Sequence, residues 1–296
     1  MMSENVPYRI KARWLVFYMV ISAIASLILV NVPWFLWFRE SPSAPLPQAL
    51  TRLVLYLLLL AFLMRPLRRS GESLRSLFGI RPKRDAIRWA MATALALMGI
   101  SFASVYILFL PLFYFMPEYF EWLIELDMSL IWAEGKLYPL ANVVHLLAGV
   151  VVGPFVEELL FRGLLLPSWV SRWGRMRAVI FSSCLFAIGH IDLLGSFVFG
   201  VVASVAFLRL GSLWLPFVIH ATHNALVWIL EAAEVLLADK STYTLADLQG
   251  SWWIGAVGLS FGLPLLLFMM RRVPRASTED LAAQQGAAIG PPTSSG

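Results

Sequence analysis

Long apolar runs separated by short polar, mostly basic, segments set the pattern of this chain. Trp14 to Phe38 stays apolar for about 25 residues, enough to cross a hydrocarbon core of roughly 30 Å with some tilt. Similar runs predict further spans at about Leu50 to Met64, Ile87 to Phe113, Leu140 to Leu166, Met176 to His190, Leu193 to Leu208, Leu213 to Leu237 and Trp252 to Met270. Pro45 and Pro47 precede the second, Pro167 is expected to end the fourth, and Gly211 with Ser212 separates the sixth from the seventh. The first run is read as a retained span, because the apolar region of a signal peptide extends only about 7–15 residues. The predicted fold class is an all-α polytopic membrane protein with about eight transmembrane helices.

Composition agrees: 59% of residues are hydrophobic, 14% are charged, and the mean hydropathy is +0.76. A soluble domain holds roughly 45–50% apolar and 25% charged residues. The net charge of +5 does not point to nucleic acid, because the basic residues flank the apolar runs as loop anchors do. They fall near the N-terminus and after the second, fourth, sixth and eighth spans, with eight between 65 and 88 (Arg65, Arg68, Arg69, Arg75, Arg81, Lys83, Arg84 and Arg88). Under the positive-inside rule these segments, and with them both termini, are cytoplasmic. Residues 117 to 136 are acidic and rich in aromatics, and predict an amphipathic helix at the opposite face. Residues 1–275 are read as one transmembrane domain, and the small, polar segment 276–296 as a disordered tail. The single cysteine, Cys184, rules out an intrachain disulfide or a cysteine-rich metal site.

Polar side chains inside spans cost a few kcal/mol each on insertion scales, so every one is a functional candidate. They are His145, Glu157, Glu158, Arg162, His190, Asp192, His220, His223, Asn224, Glu231 and Glu234. Glu158 and Arg162 stand at i,i+4 and share a helix face, whereas Glu157 is turned about 100° away and left without that partner. A carboxylate of that kind can serve as a general base or as a ligand. His220 and Asn224 also share a face, and His223 flanks it. From the assigned cytoplasmic ends, Glu157, His220 and His190 lie roughly 15, 10 and 20 Å deep. Three helices can therefore present them to one intramembrane polar cavity. Pro216 either interrupts the seventh span or opens it, and in the second case brings a positive helix end close to His220. His145 and His223 are read as structural, Asp192 as lying at an outer helix end, and Glu231 and Glu234 as interfacial.

Three motifs in order, EELLFR from Glu157 to Arg162, FAIGH from Phe186 to His190 and HATHN from His220 to Asn224, fit EExxxR, FxxxH and HxxxN. Over about residues 139 to 227 the chain resembles the CPBP family of intramembrane proteases, which includes the type II CAAX prenyl endopeptidase of eukaryotes and bacterial members of the Abi type. The resemblance implies hydrolysis of a peptide bond in a membrane-associated protein or peptide. Glu157 and His190 would activate water, His220 and Asn224 would hold the oxyanion, and Glu158 with Arg162 would support the helix. It leaves two mechanisms open. The preferred one needs no cofactor; the alternative places zinc on Glu157, His190 and His220 with water in the fourth position. The expected setting is the lipid bilayer of a bacterial inner membrane. A proton-coupled transporter and a non-catalytic immunity or scaffold protein are the alternative classes.

Overall fold

The computed structural model describes residues 11–38, 44–69, 71, 73–79, 81–118, 132–133, 136–238 and 245–274. Its helices, in chain order, are α1 (Ala12–Phe38), α2 (Pro45–Arg69), α3 (Leu74–Phe78) and α4 (Arg84–Phe115), then α5 across Pro139–Trp173. They are followed by α6 (Arg175–Ile188), α7 (Leu193–Leu210), α8 (Trp214–Ala238), α9 (Leu245–Gly250) and α10 (Trp252–Arg271). A two-residue antiparallel hairpin, Trp132–Ala133 with Lys136–Leu137, precedes α5. The protein is an all-α polytopic membrane protein.

Helices occupy all eight predicted spans. Six of them, α1, α2, α4 over Arg84–Ile107, α5, α7 and α10, are long and apolar enough to cross a membrane. At 14 residues, α6 rises only about 21 Å. The 25 residues of α8 include two histidines, an asparagine and two glutamates, which dilute its apolar character. The outer surface is apolar, with Phe17, Leu27, Ile28 and Leu29 on α1 and Phe261 and Leu267 on α10 all exposed. The buried positions include Glu158, Arg162, His220 and several serines. Apolar outside with polar groups paired inside is the arrangement that lipid favours.

The helix α5 runs through the middle. Leu159, Leu160, Leu164, Leu165 and Leu166 are buried on it against Phe186 of α6, Phe199 and Ala203 of α7, and Leu215 and Ile219 of α8. It departs from the expected single α-helix ending at Pro167. Two π-helical turns, Leu147–Val152 and Leu159–Leu165, flank the segment Gly153–Glu158, and the helix continues to Trp173. Each π turn ends two residues before a proline, Pro154 and Pro167. Proline lacks the N–H for the i−4 carbonyl and crowds it, and widening the turn relieves that crowding without breaking the helix.

Three other expectations are adjusted. Residues 132–133 and 136–137, placed in an amphipathic helix from sequence, form the hairpin, while most of that segment, like residues 276–296, lies outside the described residues. The α6 helix stops at Ile188, so His190 sits in the turn leading to α7. Pro216 falls in the first turn of α8, where its missing donor is one of the four with no helical acceptor; it opens the helix rather than kinking it. The basic segment between α2 and α4 also contains structure. The five-residue α3 is capped by Ser73; the Leu213 N–H donates to the Leu77 carbonyl at 2.9 Å, and the Phe78 ring stacks on Phe155 at 5.4 Å. These contacts pack α3 against the middle of α5 and the start of α8.

The α4–α10 contact is built on glycine. A Cβ at Gly258 would lie 2.6 Å from the Gly99 carbonyl oxygen, and one at Gly262 would lie 2.8 Å from the Ala96 carbonyl oxygen. Backbone approach of this kind lets apolar helices associate where the hydrophobic effect gives them no drive. Replacing Gly258 by Leu is expected to separate α10 from α4 and to lower the thermal midpoint of the detergent-solubilised protein. Leu at the exposed Val257 should leave that midpoint unchanged.

Candidate active site

Three helices and one turn bring together one partly buried cluster of polar side chains. Glu157 projects from the segment of α5 between the two π turns, His190 from the turn after α6, and His220 and Asn224 from the first half of α8, with α2 alongside. One Glu157 oxygen, Oε2, lies 3.8 Å from His190 Nε2 and 3.7 Å from His220 Nε2. Its other oxygen, Oε1, accepts a hydrogen bond of 2.7 Å from the Tyr56 hydroxyl on α2. The Glu157 side chain is 17% exposed and that of His190 34%, so the cavity has an opening on the His190 side. Oε2 has no hydrogen-bond partner among the described residues.

The partners of the two imidazoles define their orientations. His190 Nδ1 is 2.8 Å from the Phe186 carbonyl oxygen, which can only accept, so Nδ1 carries the proton. In the neutral ring, Nε2 then offers a lone pair to the cavity. His220 Nδ1 is 2.9 Å from Glu158 Oε1, and an ionised carboxylate likewise only accepts. Three acceptors therefore face one another across 3.7–3.8 Å. That is too far for a direct hydrogen bond, and it leaves the three atoms turned towards one small region.

Behind this surface lies a dry ionic cluster. Arg162 Nη1 donates to Glu158 Oε1 at 2.9 Å with both side chains fully buried. Nη2 donates to the Gly200 carbonyl at 3.3 Å. The guanidinium lies 4.6 Å from the centre of the Phe186 ring, and that ring lies 4.4 Å from the ring of His190. The i,i+4 pairing expected from sequence is present across the start of the second π turn. The bond from His220 to the same Glu158 oxygen was not expected: one carboxylate oxygen ties α5 to itself and to α8.

Asn224 donates through Nδ2 to the Gly149 carbonyl of α5 at 2.8 Å, which leaves its second amide hydrogen uncommitted to that bond. The remaining candidates separate from the cavity. His145 contacts the Arg52 guanidinium. His223 lies 3.5 Å from Asn224 Oδ1 and 3.4 Å from Ser101 Oγ, linking the site to α4. Asp192 caps α7 through the Gly195 N–H at 3.0 Å and contacts the Ser104 hydroxyl. Glu231 and Glu234 lie towards the far end of α8, both half-buried. Arg52 and Tyr56 were missed. In the run LVLYLLLL the tyrosine hydroxyl is the one polar side-chain group, which was the available signal.

The zinc alternative requires Glu157, His190 and His220 as ligands. Tetrahedral bonds of about 2.0–2.1 Å set oxygen and nitrogen ligands about 3.3 Å apart. The separations here are 3.7 and 3.8 Å, and among the described residues no group of three His, Cys, Asp or Glu side chains is arranged to hold a metal ion. The residues as placed do not fit that set.

The described residues thus form an all-helical membrane protein in which one glutamate oxygen faces two histidines. Residues 139–226, from α5 into α8, match the family described as type II CAAX prenyl endopeptidase Rce1-like, and this match supports a relationship of that segment to the CPBP/CAAX protease family. The activity it supports is CAAX-type intramembrane proteolysis. No curated protein and no solved structure matches the chain.

Replacing Glu158 by Gln is expected to leave Arg162 buried without a counter-charge and to destabilise the protein by about 3–5 kcal/mol. The double replacement Glu158→Leu with Arg162→Met, which removes both charges, should be more stable than either single variant in a thermal or denaturant titration. Additive losses would show that the pair is not coupled.

Proposed function

We propose that the protein hydrolyses a peptide bond of a membrane-associated protein or peptide with water activated by Glu157 and His190. The observation that carries this reading is the convergence of Glu157 Oε2 with the two Nε2 atoms at 3.7–3.8 Å. A water molecule there can donate one hydrogen to Oε2 and the other to His190 Nε2, which turns a lone pair towards an entering carbonyl. As the oxygen attacks, its proton passes to Glu157 and the carbonyl electrons move to the oxyanion. The free N–H of the Asn224 amide is one donor for that oxyanion. His220 is the second when its ring carries both protons, with Nδ1–H kept on Glu158 and Nε2–H turned to the cavity. Glu157 then returns the proton to the departing nitrogen, the C–N bond breaks, and a carboxylate and an amine leave.

No metal takes part in this mechanism. The setting that goes with it is the inner membrane of a bacterium, with the basic loops and both termini on the cytoplasmic side. Glu158 and Arg162 support the site by fixing α5 and His220. A proton-coupled transporter also carries Glu and His within spans, but a compact set facing one cavity suits hydrolysis better than a path across the bilayer.

The test compares the purified protein with its Glu157→Gln variant on membrane-associated peptides, prenylated and unprenylated, in lipid vesicles. Wild type is expected to cleave and the variant to lose on the order of 10²–10⁴-fold in kcat at an unchanged thermal midpoint. Equal cleavage by both would defeat the mechanism, and cleavage by neither would favour the transporter or scaffold class. A chelator should leave the rate unchanged; loss restored by zinc would replace the metal-free mechanism.

A further inference from the structure

We infer that Tyr56 is a positioning residue for the reaction, holding the Glu157 carboxylate so that Oε2 faces the two histidines, and that Gly153 is the position that admits its ring. This rests on the reading of Glu157 as the base. Tyr56 lies on α2, outside the matched segment 139–226, so the proposed base takes its anchor from a part of the chain that the family match does not cover.

The terminal torsion of a glutamate is broad and roughly two-fold, so nothing in the side chain itself decides which oxygen faces the cavity. The Tyr56 hydroxyl donates to Oε1 at 2.7 Å, a short hydrogen bond of the charge-assisted kind. With Oε1 committed, Oε2 is left buried, without a partner among the described residues, and directed at His190 and His220. The hydroxyl is itself held in place, because the Tyr56 ring packs against the apolar core.

The second observation is steric and independent of the hydrogen bond. A Cβ on residue 153 would lie 2.8 Å from the Ala148 carbonyl oxygen, 2.8 Å from Cζ and 2.9 Å from Cε2 of Tyr56, closer than Cβ contacts in proteins come. Cζ is the atom that bears the hydroxyl. Gly153 stands one helical turn before Glu157, so the ring lies across the bare backbone at 153 and its hydroxyl reaches the carboxylate at 157. A side chain at 153 would overlap both this ring and the Ala148 carbonyl, so the ring keeps its place only beside a glycine.

The experiment measures kcat, KM and thermal midpoint for Tyr56→Phe, with Tyr106→Phe as a control that removes a hydroxyl 2.8 Å from Ser251 far from the cavity. Tyr56→Phe is expected to lower kcat roughly ten- to a hundredfold with KM within about twofold and the thermal midpoint unchanged, while Tyr106→Phe keeps wild-type kcat. Gly153→Ala should also lower kcat, because its Cβ overlaps the ring that carries the hydroxyl. Wild-type kcat in Tyr56→Phe, with Glu157→Gln inactive, overturns this inference alone. So does a loss that follows only a lowered thermal midpoint. Full activity in Glu157→Gln overturns the reading of Glu157 and this inference with it. If Gly153→Ala does not fold, the Tyr56→Phe result decides the matter.

Discussion

A fully desolvated ion pair governs the architecture around the cavity. Glu158 and Arg162 are both buried to zero exposure and 2.9 Å apart, in a medium where an unpaired charge costs several kcal/mol. Their mutual need holds α5 in one register through its second π turn. The oxygen that binds Arg162 also binds His220 Nδ1 at 2.9 Å, so the pair sets the ring of a histidine on another helix. The guanidinium also lies against Phe186, whose backbone carbonyl holds His190. Both imidazoles are therefore oriented from the same ionic cluster. Glu157 is adjacent in sequence but on a different face, and the cluster that fixes its neighbours leaves its own Oε2 unpartnered among the described residues.

The parts of this arrangement that were legible in the sequence are those where polarity stands out against an apolar background. Eight helical runs, the i,i+4 partnership of Glu158 with Arg162 and the shared face of His220 and Asn224 all follow from local periodicity. What was not legible depended on how helices meet. Pro167 reads locally as a stop, yet a π turn lets α5 pass through it to Trp173. The bond between His220 and Glu158 spans 62 positions, and no pattern of spacing announces it. Tyr56 was not legible because a tyrosine in an aliphatic run is usually an ordinary apolar contact, and its bond to Glu157 spans 101 positions.

Hydrolysis inside a bilayer needs water where lipid excludes it, and a way to keep polar groups from satisfying one another. For the hydrolysis proposed above, the geometry of the polar cluster bears on both demands. His190 sits in a turn and is one-third exposed, whereas His220 and Glu158 are buried, so the site grades from open to dry across a few ångströms. Each cavity-facing acceptor has its far side committed: Glu157 to Tyr56, His190 to the Phe186 carbonyl and His220 to Glu158. Groups committed behind and open in front are electrostatically preorganised, which removes the cost of reorienting dipoles as charge develops.

In the proposed hydrolysis Glu157 passes a proton and forms no covalent bond to the substrate. A single turnover in oxygen-18 water, followed by mass spectrometry of the product and of the peptide containing Glu157, tests it most directly. The account predicts heavy oxygen in the new carboxylate of the product and none in Glu157. Label in Glu157, or its absence from the product, would contradict the account and indicate an acyl-enzyme intermediate.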